Sequence, residues 1–376
     1  MRNDPASLTA AIREKARALG FFKTGIVRAG PLPDAGRFDR WLDESMHGEM
    51  HYLVRQADKR RNPSLILPGA RSLVVVAMNY YMGEPPPPAP LQGRISRYAW
   101  AEDYHRVIRA RLEELYAFIR RQEPEAAGVY YTDTGPVMEK AWGARTSLGW
   151  QGKNSNLITR ERGSWFFLGV ILLDLELEYD SRAKDYCGTC TRCMAACPTG
   201  AIAAPYVVDA RLCISYLTVE LRGAIPRPLR PLIGDRIFGC DDCQEVCPWN
   251  RFAALSGEPR PAEPTHPAWC DLVLHSALTR EEFEARFRAS AVRRCGRDGF
   301  VRNVAVALGN SRHPGAGPAL ARALGDASPL VRAHAAWGLG RIASPAARAA
   351  LAGARGRENE PSVIEEIDLA LAGATG

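Results

Sequence analysis

Residues 187–198 read CGTCTRCMAACP, and residues 240–250 read CDDCQEVCPWN. The first run spaces its cysteines as Cys187-x2-Cys190-x2-Cys193-x3-Cys197-Pro198. In that pattern three thiolates hold one 4Fe–4S cluster and the fourth, set off by the longer step, ligates a second cluster. The second run repeats the last three members as Cys240, Cys243 and Cys247 before Pro248, but Ile237 stands where its leading cysteine would be. A cubane needs four thiolates, and Cys213 is the only other cysteine in the region. The spacing therefore predicts two crosswise sets: Cys187, Cys190, Cys193 and Cys247 for one cluster, and Cys197, Cys213, Cys240 and Cys243 for the other. Two clusters so interleaved are near enough to exchange electrons. Zinc sites also use CxxC pairs, but they do not require the x2-x2-x3-Cys-Pro run, so the pattern argues for iron and sulfide.

Working outward, eight of the ten cysteines of this 376-residue chain fall between Cys187 and Cys247. A reducing compartment disfavours disulfides, so such a concentration points to metal or catalysis. The remaining two, Cys270 and Cys295, are expected to be structural buried cysteines. A hydrophobic fraction of 46% and a charged fraction of 24% exclude a disordered or collagen-like chain, and the length allows two or three domains. The longest mostly apolar stretch, Trp165 to Leu173, is about half of the ~20 residues a membrane span requires, and Asp174 closes it. The N-terminal residues lack the apolar core of a secretory signal. A cytoplasmic protein with no membrane segment is expected.

Residues 7–19 place Leu8, Ile12, Ala16 and Leu19 at helical spacing before Gly20, and Ile108, Leu112, Leu115 and Ile119 mark a second helix. Ser72 to Tyr80, Val129 to Tyr131 and Phe166 to Leu173 read as strands, so residues 1–180 are expected to form a layered α/β or α+β domain. The segment 181–253 follows, poor in periodic runs, as suits a backbone held by clusters. Residues 254–280 read as a linker. From 281 to 376 the texture turns to Ala, Leu, Gly and Arg with a repeat: Val301-Arg302 through Leu308-Gly309 recurs as Val331-Arg332 through Leu339-Gly340, which predicts short HEAT-like helix pairs.

Charge follows the same division. Residues 286–357 hold thirteen Arg, no Lys, and only Asp298 and Asp326 as acids, a net charge of +11, whereas the whole chain carries +7 and the remainder therefore −4. A basic end on an acidic body fits a polyanionic partner such as nucleic acid. Arg302 and Arg332 share a repeat phase and are expected to form a ladder along RNA phosphates, because faces that merely solubilise mix both signs.

Clusters pass electrons but name no substrate. No G-x-G-x-x-G opens a helix and no P-loop is present. Asp103-Tyr104-His105 begins like the D-x-H-x-x-G corrinoid motif, but Ile108 replaces its glycine, so no histidine-ligated cobalamin is supported. His47 and His51 lack the zincin glutamate and read as a solvated helix end. Taken alone, Asp133 after a strand reads as a turn residue.

Several stretches together carry a resemblance. Asp133 to Lys140 (DTGPVMEK), Leu148 to Lys153 (LGWQGK), the two cysteine runs, Cys213 to Thr218 (CISYLT), and Arg302-Asn303 through Asn310 resemble the epoxyqueuosine reductase family, collinearly over nearly the whole chain. The resemblance implies an α+β multidomain fold. Its N-terminal corrinoid-binding domain is similar to that of reductive dehalogenases, its middle is a ferredoxin-like two-cluster domain, and its C-terminal HEAT-like repeats help to hold tRNA. It implies two 4Fe–4S clusters and a base-off cobalamin with no histidine on cobalt. The implied reaction is the final reduction of epoxyqueuosine to queuosine in tRNA, with a low-potential electron donor and a monomeric enzyme. Asp133 matches the catalytic acid, which displaces the turn reading. To donate at neutral pH that carboxyl has to be protonated, so a pKa raised by burial is expected. Arg60, Lys153, Asn154, Ser155, Ser215, Arg222 and Asp242 match positions expected to line the corrin pocket, and Asp103, Tyr104 and His105 are expected to face the substrate.

Two rivals remain on the sequence. A dehalogenase-like corrinoid reductase of a small molecule would have no use for the +11 segment. A ferredoxin-like electron carrier with a scaffold arm would have no use for 180 residues ahead of its clusters.

Overall fold

The computed structural model describes residues 4–257 and 268–373. Its N-terminal sheet has the order β1-β2-β7-β4, with β1 at Lys23–Arg28, β2 at Ser72–Asn79, β4 at Gly128–Tyr131 and β7 at Phe166–Leu173, every neighbouring pair antiparallel. All eight residues of β2 are buried, because both faces of the sheet are covered. Val74, Val76 and Met78 pack against the helices Pro5–Ala18 and Tyr104–Gln122 through Leu8, Ile12, Ile108, Leu112, Leu115 and Ile119. Leu73, Val75 and Ala77 point the other way, onto Val137, Trp142, Leu148 and Leu157. This is why β2 reads as a continuous apolar run where a half-exposed strand would alternate. β1 escapes sequence reading: it is an edge strand with a mixed composition (KTGIVR) and only its middle buried.

A second sheet crosses the boundaries expected from sequence. β3 (Gln92–Ile95) lies between β8 (Arg236–Phe238), to which it runs parallel, and β9 (Trp269–Asp271), to which it runs antiparallel; β5 (Trp150–Gln151) and β6 (Leu157–Ile158) form a small ribbon. The expected linker 254–280 therefore needs correction. Residues 258–267 lie outside the described residues, but Trp269–Asp271 is a strand and Leu272–His275 and Arg280–Arg286 are helical. Tertiary pairing overrides the weak local signal. Ile95, Ile237, Phe238, Cys270 and Leu272 join Phe283, Phe287, Cys295 and Phe300 in one apolar core, so the repeats are continuous with the body and both cysteines outside the cluster sets are buried there.

The repeats are the helices Gly296–Ser311, Ala316–Ala323, Pro329–Ile342, Pro345–Arg355 and Pro361–Leu371. In the first, every residue from Gly299 to Gly309 is buried. Its packing on Pro329–Ile342 is close enough that a Cβ at Gly309 would stand 2.7 Å from the Gly338 Cα, which requires glycine there.

Candidate functional site

Each cysteine run wraps a single helical turn, Arg192–Ala195 in the first and Asp242–Glu245 in the second. Cys190 N–H donates to the Cys187 carbonyl at 3.1 Å, Cys197 N–H to that of Met194 at 3.3 Å, and Cys247 N–H to that of Gln244 at 3.0 Å. All eight cysteines are free and partly exposed. Cys187, Cys190, Cys193 and Cys247 line one cavity of about 210 Å³, with Lys153 and Trp249 in its wall. Burial raises the Cys247 thiol pKa, and the charges of Cys187, Cys193 and Cys190 raise it further. Burial likewise raises Cys243, to about 12, with Cys213 as the next contributor, while Cys213 itself is raised by burial and by Cys197. Cys187, Cys190, Cys193 and Cys247 thus share one cavity, while Cys213 acts electrostatically on Cys240 and Cys243, and Cys197 on Cys213. Cys243 also feels Cys193, so the sets are neighbours. Among the described residues no three potential ligands converge as they would on a single ion. The first four surround a volume, which suits a cubane.

Lys153 and Asn154, expected at the corrin, direct their side chains to these loops instead. Lys153 is buried and its Nζ donates to the carbonyls of Gly188 and Cys190, both at 2.8 Å, and Asn154 Nδ2 donates to that of Cys243 at 3.3 Å. Asp242 forms an ion pair with Arg236, with Nε and Nη2 at 3.0 and 2.6 Å, so its carboxylate is also engaged within the protein. Ser155, in the left-handed region at φ 61°, donates to the Tyr206 carbonyl at 3.2 Å.

The candidate acid lies on the loop after β4. Asp133 has φ 58°, a strained conformation that aspartate tolerates better than most residues. Its N–H donates to Glu139 Oε1 at 3.0 Å, which pins the loop. Its Oδ2 accepts from the Tyr104 hydroxyl at 2.6 Å and faces His105 Nε2 at 3.4 Å. Asp103 caps the helix Tyr104–Gln122 by accepting from His105 N–H at 3.0 Å, and the same oxygen lies 2.7 Å from His105 Nδ1. Of the three residues expected at the substrate, Tyr104 is hydrogen-bonded to Asp133, and the hydrogen-bonded pair Asp103–His105 faces it across an ion-pair contact.

The electrostatics depart from expectation. The Asp133 side chain is solvent-accessible (67%) yet ringed by protein. Desolvation pulls its pKa up, but hydrogen bonds from His105 and Tyr104 and the charges of His105 and Lys140 outweigh that pull and bring it down to about 2. The expected raised carboxyl is found instead six residues on, at Glu139. Glu139 is pushed up to about 7 by desolvation and by the neighbouring Asp133. His105 is opposed by desolvation but held up by Asp103 and Asp133, at about 9. At neutral pH the proton therefore sits on the imidazole. Lys140 acts electrostatically on both Asp133 and Cys213.

Around this group stand residues that sequence reasoning missed. Tyr52 responds to Glu220, Arg294, Asp133 and Arg60, and Arg294, from the start of the repeats, holds Glu220 through two bonds at 2.9 and 2.8 Å. Glu139 lay within the DTGPVMEK stretch; Tyr52, Glu220 and Arg294 carry no local signal. Arg60 is buried, donates to the Val137 carbonyl at 3.4 Å, and keeps its Nε without a partner. Arg222 is exposed, with its N–H on Glu49 at 2.9 Å, and Ser215 is half-buried in the helix Ile214–Val219. An orphaned guanidinium nitrogen beside an open acid fits a missing polar group such as a corrin side chain. A cavity of about 1200 Å³ lies elsewhere, beside Cys247 between the proline run 85–88 and Trp269.

Two expectations fail on burial. Arg302 is fully buried and donates to the carbonyls of Leu217, Leu221 and Gly223 and to Asn303. Arg332 is tied to Glu358 at 2.7 and 2.9 Å and to the Asp326 carbonyl. Arg302 is thus unavailable to phosphates, and the partly exposed Arg332 is engaged with Glu358 instead of standing free as one rung of a ladder. Exposed arginines of the segment include Arg288, Arg312, Arg322 and Arg357. His47, expected in solvent, is buried against Trp41. Among the described residues no helix is long and apolar enough to cross a membrane.

Comparison with known proteins finds three family models along the chain: a 4Fe–4S double cluster binding domain over residues 186–250, epoxyqueuosine reductase QueG over 60–134, and HEAT repeats over 273–372. An epoxyqueuosine reductase of Pseudomonas aeruginosa is 41% identical over 347 residues, which span 90% of this chain and 95% of the relative. The solved structure of an epoxyqueuosine reductase from Bacillus subtilis superposes with a TM-score of 0.90 at 30% identity, covering 98% of this chain and 99% of the other. Another, solved with an epoxyqueuosine-modified tRNA-Tyr stem loop, superposes with a TM-score of 0.89 at 30% identity over the same shares.

Proposed function

The chain belongs to the epoxyqueuosine reductase family, and from that premise we propose that it reduces epoxyqueuosine to queuosine in tRNA, with Asp133 as the proton donor. The net reaction removes the epoxide oxygen as water and leaves a carbon–carbon double bond, which consumes two electrons and two protons. When bound, two 4Fe–4S clusters would supply electrons singly and a base-off cobalamin a strongly reducing cobalt centre. Cys187, Cys190, Cys193 and Cys247 would hold the first cluster and Cys197, Cys213, Cys240 and Cys243 the second. Arg60, Ser215 and Arg222 are the residues of the expected corrin set whose polar atoms remain nearest to available, and Arg60 Nε is the one left orphaned by burial.

The chain's own groups do the rest. Tyr104 fixes the Asp133 carboxyl by donating to Oδ2 and, with its own pKa pushed far above its usual range by desolvation and by Asp133, keeps its proton. Glu139 holds the loop from behind through the Asp133 N–H. Asp133, accessible to substrate, gives a proton to the oxygen that leaves. The exposed arginines of residues 286–357 attract the tRNA phosphates. A low-potential donor supplies the electrons, and the enzyme works as a monomer in the cytoplasm, where its thiols stay reduced.

What supports this reading is an open aspartate at positive φ, held by Tyr104 and facing His105, in a chain that also carries the double-cluster cysteine segment of its family. The test is anaerobic reconstitution with iron, sulfide and cobalamin, followed by incubation with epoxyqueuosine-bearing tRNA and a chemical reductant. Nucleoside analysis should return queuosine. Intact epoxyqueuosine from protein loaded with both cofactors would overturn the assignment.

A further inference from the structure

We infer that His105, oriented by Asp103, is the proton store that charges Asp133 for each donation. This deepens the reading of Asp133 as the acid and rests on it. The imidazole bridges the two carboxylates: Asp103 Oδ1 lies 2.7 Å from its Nδ1, and its Nε2 faces Asp133 Oδ2 at an ion-pair distance of 3.4 Å. An ionised carboxylate only accepts, so with Asp103 on one side and Asp133 on the other, the ring sits between two acceptors and is best satisfied as an imidazolium, both nitrogens protonated. The ring cannot turn freely, since Tyr104 stacks on it at 4.0 Å and is itself stacked on Phe167 at 4.1 Å. Asp103 is fixed in turn by its N–H on the Ala289 carbonyl at 2.7 Å and by its role as helix cap.

The charged surroundings agree. Asp103 and Asp133 are the carboxylates that raise the imidazole, and desolvation opposes them; Arg106 sits beside Asp103, and Lys140, Glu139, Arg60 and Arg294 surround Asp133. In the open site Asp133 is an anion and is no acid. Substrate covering its exposed side chain expels water, and an ion pair stripped of water is disfavoured relative to the neutral pair. The proton then moves from His105 Nε2 to Asp133 Oδ2: the N–H bond breaks, the O–H bond forms, and both charges vanish. On donation that O–H bond breaks, the proton joins the leaving oxygen, and Asp133 is again a carboxylate. His105, 31% exposed, recovers its proton from solvent. The same group thus holds its proton safely in the open site and releases it only once the substrate is in place.

The test uses the full chain. In 15N-histidine-labelled protein, one of the seven histidines should titrate near 9, and Asp103→Asn, which keeps the helix cap, should move that titration down toward the ordinary imidazole range. In single turnovers of the reconstituted, chemically reduced enzyme, the rate should fall as pH rises through about 9. His105→Gln should remove that limb and slow turnover by about 10²-fold, with tRNA affinity and iron content unchanged. An ordinary titration for every histidine, or identical pH profiles for wild type and His105→Gln, would sink the store. If Asp133→Asn is inactive while His105→Gln behaves as wild type, only the store is lost. If Asp133→Asn is active, the reading of Asp133 as the acid fails.

Discussion

The inner face of the first repeat and the loop after β4 each carry a polar residue flagged by the sequence, and the two are built in opposite ways. Arg302 is fully buried, and its donors are used on Leu217, Leu221, Gly223 and Asn303. Asn303 extends the staple to the carbonyls of Thr218 and Ile237, so together they tie the repeats to the cluster segment. Asp133 is accessible, sits at positive φ, and shares one oxygen between a phenol and an imidazole. A polar group that serves the fold has its hydrogen-bonding capacity spent inside the protein. One proposed to serve chemistry, as Asp133 is, is left open and held under strain by its neighbours.

The largest expected effect is at the open group. Asp133→Asn, which keeps a residue tolerant of the left-handed region, should lower turnover by about 10²- to 10⁴-fold. Its unfolding free energy should stay within about 0.5 kcal/mol of wild type. A large loss of stability with activity retained by the folded fraction would make Asp133 a fold residue and erase the contrast. Arg302→Ala should behave inversely. Leaving several buried carbonyls without donors should cost about 3 kcal/mol or more, read from denaturant unfolding, with the tRNA affinity of the folded protein unchanged. A stable variant that no longer binds tRNA would return Arg302 to the RNA interface.

Arg332→Ala should be milder, about 1 to 2 kcal/mol, since the paired Glu358 can still reach water, and it too should leave tRNA binding intact in a filter assay. The smallest effect is expected at Glu139, which lies between the two types: partly buried, yet hydrogen-bonded to the Asp133 backbone. Its carboxyl is raised in the folded state from 4.5 to about 7. Its contribution to stability is therefore fully present below pH ~4.5 and lost as pH rises through about 7. Glu139→Gln keeps an acceptor for the Asp133 N–H and should flatten that part of the stability profile, changing turnover only a few-fold. An unchanged difference between the denaturation midpoints at pH 5 and pH 8 would show that Glu139 is ordinary.

What could be read from sequence was what depends on neighbours in the chain. Cys187 to Pro198 is legible by itself, because its three- and four-residue steps around one helical turn form a recognisable two-cluster pattern. Ile108 to Ile119 and Val74 to Met78 disclose their faces by period alone. The stretch around Asp133 was legible through its match to a family, and Glu139 was inside it.

Burial and charge state belonged to the tertiary structure. Arg302 and Arg332 looked like surface cations because arginine usually is one. Only the carbonyls of residues 217–223, some 80 positions earlier, and Glu358 in the next turn of the array show otherwise. The strand Trp269–Asp271 exists because Gln92–Ile95 is there to pair with it. Asp133 was expected to be protonated because a donor must be, but its state is set by Tyr104 and His105, brought to its loop from the start of the helix Tyr104–Gln122. Sequence spacing determines which residues can act together locally. Which of them keep water, lose it, or face an opposite charge is decided by residues distant in the chain, because solvation and Coulomb energy depend on distance in space.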